Sequence, residues 1–141
     1  MDAREFVAVV KHHAVDGAAD DIINELITSS GAPAPPSPEE SLIGRSISEF
    51  VYRGKLRKFN RAVWFQNLTQ VDRDEISGLL RDCAEATAFH FFCVLDGVGG
   101  SAPGVFEIAE VDGRKRRVLN PENSEMLHDL FSEVSEAERS R

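Results

Sequence analysis

Apolar residues recur at helical spacing along most of this chain and at strand spacing in one short stretch. The longest helical pattern runs from Val71 to Gly97. Ile76, Leu79, Leu80, Cys83, Thr87, His90, Phe91 and Val94 follow one another at spacings that share one face of a helix. Thr69 with Asp72 three residues on reads as an N-cap, and Asp72, Asp74 and Glu75 suit the positive end of a helix dipole. In the second half Phe89, Phe92, Cys93 and Leu95 fill the other faces too. A helix that is apolar all round is normally enclosed by protein, so the pattern predicts a central buried helix over about 70–96, closed by Gly97 in the left-handed region. Phe89 to Leu95 would also suit a buried strand, but no turn residue separates that run from Glu85.

The first segment places Phe6, Val9, Val10 and His13 on one stripe, with Ala14 beside it, and Ile22, Ile23, Leu26 and Ile27 on a second. Asp16-Gly17 between them reads as a break, with Asp16 as N-cap, giving two helices or one kinked helix to about Thr28. Residues 29–38, SSGAPAPPSP, form an exposed Pro-rich connection, a linker rather than a proline-motif ligand. Ser37-Pro38-Glu39-Glu40 then starts a helix carrying Ile43, Ile47, Phe50 and Val51, expected to end near Gly54. Phe59, Val63, Trp64 and Leu68 suggest a further short helix. Trp64 and Phe65 are adjacent and point in different directions, which leaves one of them to face solvent.

Beyond the loop VGGSAPG the period changes to two. Residues 105–119 alternate around Asp112-Gly113, a strong hairpin signal, and two strands alone need a helical surface to cover one face. Asn120-Pro121 opens a last helix with Met126, Leu127, Leu130, Phe131 and Val134 on its stripe, and the charged tail 136–141 is expected to fray. The expected fold is therefore mainly α (α+β), five or six helices around the central one with one β-hairpin, in a single domain spanning 1–141.

Composition narrows the class. An apolar share of 42% with 28% charged residues suits a globular domain, and no apolar run approaches the roughly 18 residues that span a membrane. The start, MDAREFVAVV, does not read as a secretory signal, so the expected location is cytoplasmic. Cys83 and Cys93, about 15 Å apart along one helix, read as small core residues rather than a disulfide. The net charge of −8 is uneven. Residues 1–44 hold eight acids and two bases, whereas 45–61 hold six bases and one acid. An acidic chain disfavours nucleic acid and favours a partner with a basic surface.

Candidate chemistry is sparse. Gly97-Val98-Gly99-Gly100-Ser101 lacks the strand before it and the helix after it that a phosphate cradle requires. His12, His13, His90 and His128 form no metal-binding pattern, and His128 with its neighbour Asp129 reads as plain helix surface. No nucleophile elbow occurs. His90 with Asp96, and one of His12 or His13, is the pocket an acid–base enzyme or metal binder would need. Asp96 is oddly placed at the negative end of its own helix, or else caps an Asp-Gly turn. Arg53, Lys55, Arg57, Lys58 and Arg61, near Tyr52, Phe59 and Trp64, could stack and neutralise a single strand. Docking of this basic helix on the chain's own acidic segments is the expected alternative.

The sequence therefore points to a non-catalytic protein-binding module without cofactor or metal. An immunity- or antitoxin-type neutraliser of a basic partner, of the bacterial kind, fits the acidity, with Asp20, Asp21, Glu25, Trp64 and Phe65 as contact candidates. A small enzyme or metal binder at His90 and Asp96, and a nucleic-acid adaptor at 53–61, are the rivals.

Overall fold

The computed structural model describes residues 1–31, 33–35, 49–98 and 106–140. Five α-helices and one hairpin lie among them: α1 Ala3–Val10, α2 Gly17–Thr28, α3 Glu49–Gln66, α4 Gln70–Leu95, β1 Ala109–Asp112, β2 Lys115–Val118 and α5 Leu127–Arg139. The chain is mainly helical with one two-stranded antiparallel sheet, as the spacing predicts. It divides into two compact units, one of Met1–Ala19 with Leu80–Arg141, the other of Asp20–Leu79. The helix start expected at Ser37, Ile43 and Ile47, the loop Gly99 to Ser101 and the hairpin's first residue, Val105, lie outside the described residues.

α1 opens with a full capping box. The Asp2 carboxylate accepts from the Glu5 amide, and the Glu5 side chain accepts from the Asp2 amide, both at 2.8 Å. The expected break at Asp16-Gly17 does not occur. A π-helical turn, Lys11–Asp16, joins α1 to α2, and the Gly17 amide donates to the His12 carbonyl. The buried positions of this run explain the turn: Val7, Lys11, Val15 and Ala19 recur every fourth residue. In an α-helix four residues overshoot a full rotation by about 40°, so such a stripe would drift off the core. A π turn, at about 4.4 residues per rotation, undershoots by about 30° and brings Val15 back over Val7. The same geometry sets Lys11 beside Asp16, and their side chains bond at 2.6 Å. A template of 3.6 residues selects Val9 and His13 instead, and both are exposed.

In this first unit Val7, Val15, Phe92, Leu127, Leu130 and Phe131 form the core, with Phe6, Val10, Ala88, Phe89, Leu95 and Val134 packed around them. Phe92 is the pivot, edge-on to Phe6 at 6.2 Å and tilted against Phe131 at 5.4 Å between ring centroids. The hairpin pairs Ala109 with Val118 and Asp112 with Lys115, so Gly113-Arg114 makes the turn. Gly113, at φ +59°, takes the positive-φ first position of a two-residue hairpin loop. Asn120 closes the open end, accepting from the Ile108 amide and donating to the Phe106 carbonyl, each at 2.7 Å.

The second unit is built on α3, which runs straight through Gly54. One glycine costs about 1 kcal/mol in a helix, too little to end one that is otherwise sound. Ala62 and Phe65 are buried, Gln66 donates to the Ile27 carbonyl at 3.1 Å, and Lys58 pairs with Glu25 at 2.8 Å. Thr69 then caps α4 as its spacing indicates, accepting from the Asp72 amide at 3.2 Å and donating to its carboxylate at 2.6 Å.

α4 spans the expected residues, but its buried face is not the expected one. Ala84, Ala88, Phe92 and Leu95 face the core, whereas Leu79, Cys83, Thr87, His90, Phe91 and Val94 are exposed, Phe91 at 56%. The second half of α4 is therefore buried along one face rather than all round. Both faces of the second half are apolar, and among the described residues only one of them packs against the core.

Candidate functional site

α4 ends in a Schellman turn that fixes where Asp96 points. The Val98 amide donates to the Cys93 carbonyl at 2.8 Å, the Gly97 amide to Val94 at 3.1 Å, and Gly97 sits at φ +73°. The turn directs the Asp96 carboxylate, 5% exposed, to the first turn of α5. One oxygen, Oδ2, accepts the His128 backbone N–H at 3.0 Å and lies 2.8 Å from His128 Nδ1. Met126, the N-cap of α5, supplies no capping side chain, so Asp96 does that work from another helix. The carboxylate at the wrong end of its own dipole sits at the favourable end of the next one.

His128 is the residue that sequence reasoning set aside. Its Nδ1 faces Asp96, and its Nε2 lies 3.5 Å from Asp129 Oδ1. Its ring packs edge-on to Phe89, 5.7 Å between centroids. Through these bonds the pair braces α4 against α5. Only a Schellman reading of Leu95-Asp96-Gly97-Val98 beside an uncapped Met126 could have suggested the partnership. Nearby, burial raises the Cys93 thiol pKa, and the charges of Asp96 and Asp129 raise it further.

His90 and Asp96 line different depressions. His90 is exposed on the rim of a groove between α4 and α5 of about 490 Å³, whereas Asp96 borders another of about 430 Å³ beside Phe106, Asn120 and Met126. Phe89 and Phe131 form the apolar wall of the first groove, with Asp82 and Glu136 at its edges. The Ser135 hydroxyl, on a residue 7% exposed, lies there without a hydrogen-bond partner among the described residues. Glu85 at the groove's end bonds both Arg139 and Lys11.

Lys11 is 4% exposed, and three carboxylates surround it: Asp16 at 2.6 Å, Glu138 at 3.2 Å and Glu85 at 3.3 Å. Burial pulls the ammonium pKa down, but the hydrogen bonds it donates to Asp16, Glu138 and Glu85 and the charge of Asp16 outweigh it, and the net shift is upward. This cluster ties the π turn, α4 and α5 together. His12 and His13 lie on the outer side of that turn, their rings 4.8 Å apart. Among the described residues no three His, Cys, Asp or Glu side chains converge as a metal site would require.

The remaining candidates fall in the second unit. Trp64 is 55% exposed and Phe65 1%, so Phe65 belongs to the core and only Trp64 can meet a partner. Asp21 and Glu25 are exposed on α2 with Asp20, and Glu25 is held by Lys58. No helix among the described residues is long and apolar enough to cross a membrane. No protein-family model, curated protein or solved structure matches this chain.

Proposed function

We propose that this chain is a non-catalytic protein-binding module that docks a partner with a basic surface on the exposed side of α4. One observation carries the reading. Between Cys83 and Val94 the outward face, Cys83, Ala86, Thr87, His90, Phe91 and Val94, holds no formal charge over about three helical turns, and Phe91 is more than half exposed. Burying such a face against a second protein removes apolar surface from water, and an exposed aromatic is a typical interface anchor. The surroundings support a basic partner. This unit has fifteen carboxylates against nine Lys and Arg, and Asp82 and Glu136 beside the face make no ion pair among the described residues. An immunity- or antitoxin-type neutraliser is the form of this reading that the acidity favours, because opposite charge speeds capture.

The test is affinity capture from native lysate with the wild type and with Phe91→Glu, each at low and high salt. A basic protein retained by the wild type at low salt, and lost with Phe91→Glu while circular dichroism is unchanged, is the expected result. Capture that is indifferent to Phe91→Glu, or no capture at either salt, would remove the proposal.

A further inference from the structure

The basic segment lies on one helix, and the helix sorts it. At about 100° per residue, Ala62 and Phe65 point to the core of the second unit, and Lys58 lies within about 40° of Ala62. Lys58 is neutralised internally by Glu25. Arg57, Asn60 and Trp64 point about 140–160° away from Ala62, to the opposite side. With Arg53, Leu56 and Arg61 they line one shallow depression of about 390 Å³, whose lining among the described residues comes from α3.

Two ridges run along that face. Arg53, Arg57 and Arg61 follow at four-residue steps, about 6 Å of helix rise each, and Leu56, Asn60 and Trp64 run beside them. Arg57 and Arg61 make no ion pair among the described residues. Residues 51–66 hold five Lys and Arg and no carboxylate. Charges more than about 10 Å away are largely screened at ordinary ionic strength, so a ligand here meets this local field rather than the chain's net charge of −8.

We propose that this face of α3 binds single-stranded nucleic acid. The arginine ridge takes successive phosphates, the exposed Trp64 ring stacks on an unpaired base, and the Asn60 amide reaches a base edge. A duplex keeps its bases stacked and offers the indole no free face. A membrane-surface helix would present a broad apolar side, whereas among the described residues lining this depression only Leu56 and Trp64 are apolar. An acidic protein would satisfy the arginines but leave no particular use for a flat ring beside them.

Trp64 is the only tryptophan, so its fluorescence reports on the face directly. The full chain is titrated with a single-stranded thymidine oligonucleotide of about ten nucleotides, a length within the usual site size. Saturable quenching is expected, with a logarithmic salt slope of about −1.4, as two phosphate contacts from Arg57 and Arg61 on a single strand would give. Arg57→Gln with Arg61→Gln should weaken binding at least tenfold and bring the slope close to zero. Trp64→Leu, followed with a labelled oligonucleotide, should weaken binding at least fivefold and leave the slope unchanged. Circular dichroism confirms that these surface variants fold. Absence of saturable binding at low salt would overturn the inference, as would equal affinity for the duplex or for polyglutamate of matched charge. Loss of binding with Arg114→Gln and Arg116→Gln, which lie in the other unit, would overturn it as well. Its outcome is separable from that of the α4 proposal, because Phe91→Glu leaves α3 untouched.

Discussion

Replacing Asp96 measures how much of the first unit hangs on one carboxylate. Asp96→Ala strands two donors, the His128 amide and Nδ1–H, at a site where the carboxylate is 5% exposed. Loss of a helix cap costs about 1 kcal/mol, and an unpaired buried donor about 1–3 kcal/mol. The expected destabilisation is therefore about 2–4 kcal/mol. Asp96→Asn keeps the shape and one acceptor oxygen but removes the charge facing the dipole of α5, so about 1 kcal/mol should be lost. Urea denaturation followed by far-ultraviolet circular dichroism is the assay. Tryptophan and tyrosine emission would mislead, since the only residues of each kind, Trp64 and Tyr52, lie in the second unit. Thermal midpoints should fall by about 2–4 °C per kcal/mol for a chain of this size. An alanine variant within about 0.5 kcal/mol of wild type would refute the reasoning, being no more than an ordinary surface change. Asparagine as damaging as alanine would refute the division between shape and charge.

Three further outcomes follow from the same geometry. Lys11→Met should cost about 2–3 kcal/mol, because it leaves Asp16 and Glu138 facing each other without their cation. The folded Lys11 pKa lies above its ordinary 10.5, so its contribution is complete below that value and is lost as pH rises through the higher folded pKa. The stability gap between wild type and Lys11→Met should accordingly stay constant around neutrality and shrink only above about pH 10.5; a gap that closes near pH 8 would contradict this. An alkylating reagent at mildly alkaline pH should modify exposed Cys83 at least about tenfold faster than half-buried Cys93, whose thiolate is disfavoured; equal rates by peptide mapping would contradict the burial. Ser135→Ala should leave stability unchanged or raise it by up to about 1 kcal/mol, because the hydroxyl is buried without a partner; a clear loss in urea would reveal a bond the structure does not show.

Local chemistry was the legible part of this sequence. Thr69 caps α4, Gly97 ends it, Asp112-Gly113 opens the hairpin turn, and Trp64 and Phe65 part company across the surface of α3. Each depends on residues within about four positions of one another, where backbone sterics decide. The errors concern partners far along the chain. Phe91 and Phe92 are equally apolar, so periodicity alone cannot say which of two apolar faces meets Phe6 and Phe131. Lys11 sits in a core position because three carboxylates from elsewhere converge on it, which no hydropathy pattern records. His128 was set aside because the residue that orients it is Asp96, on a different helix.

The π turn at Lys11–Asp16 bears on the gene as well as the fold. In most helices the loss of a single codon is severe, since everything beyond it rotates by about 100°. Here the buried residues Val7, Lys11, Val15 and Ala19 are one position further apart than an α-helix requires. Removing the codon for His12 or His13, both exposed, would close Lys11 to Val15 from four residues to three and give the 4, 3, 4 spacing of an ordinary α-helical stripe. Lys11 and Asp16 would become neighbours four residues apart, a separation at which helical side chains still meet. An in-frame deletion at this double histidine is therefore a length change that the run from Ala3 to Thr28 can absorb.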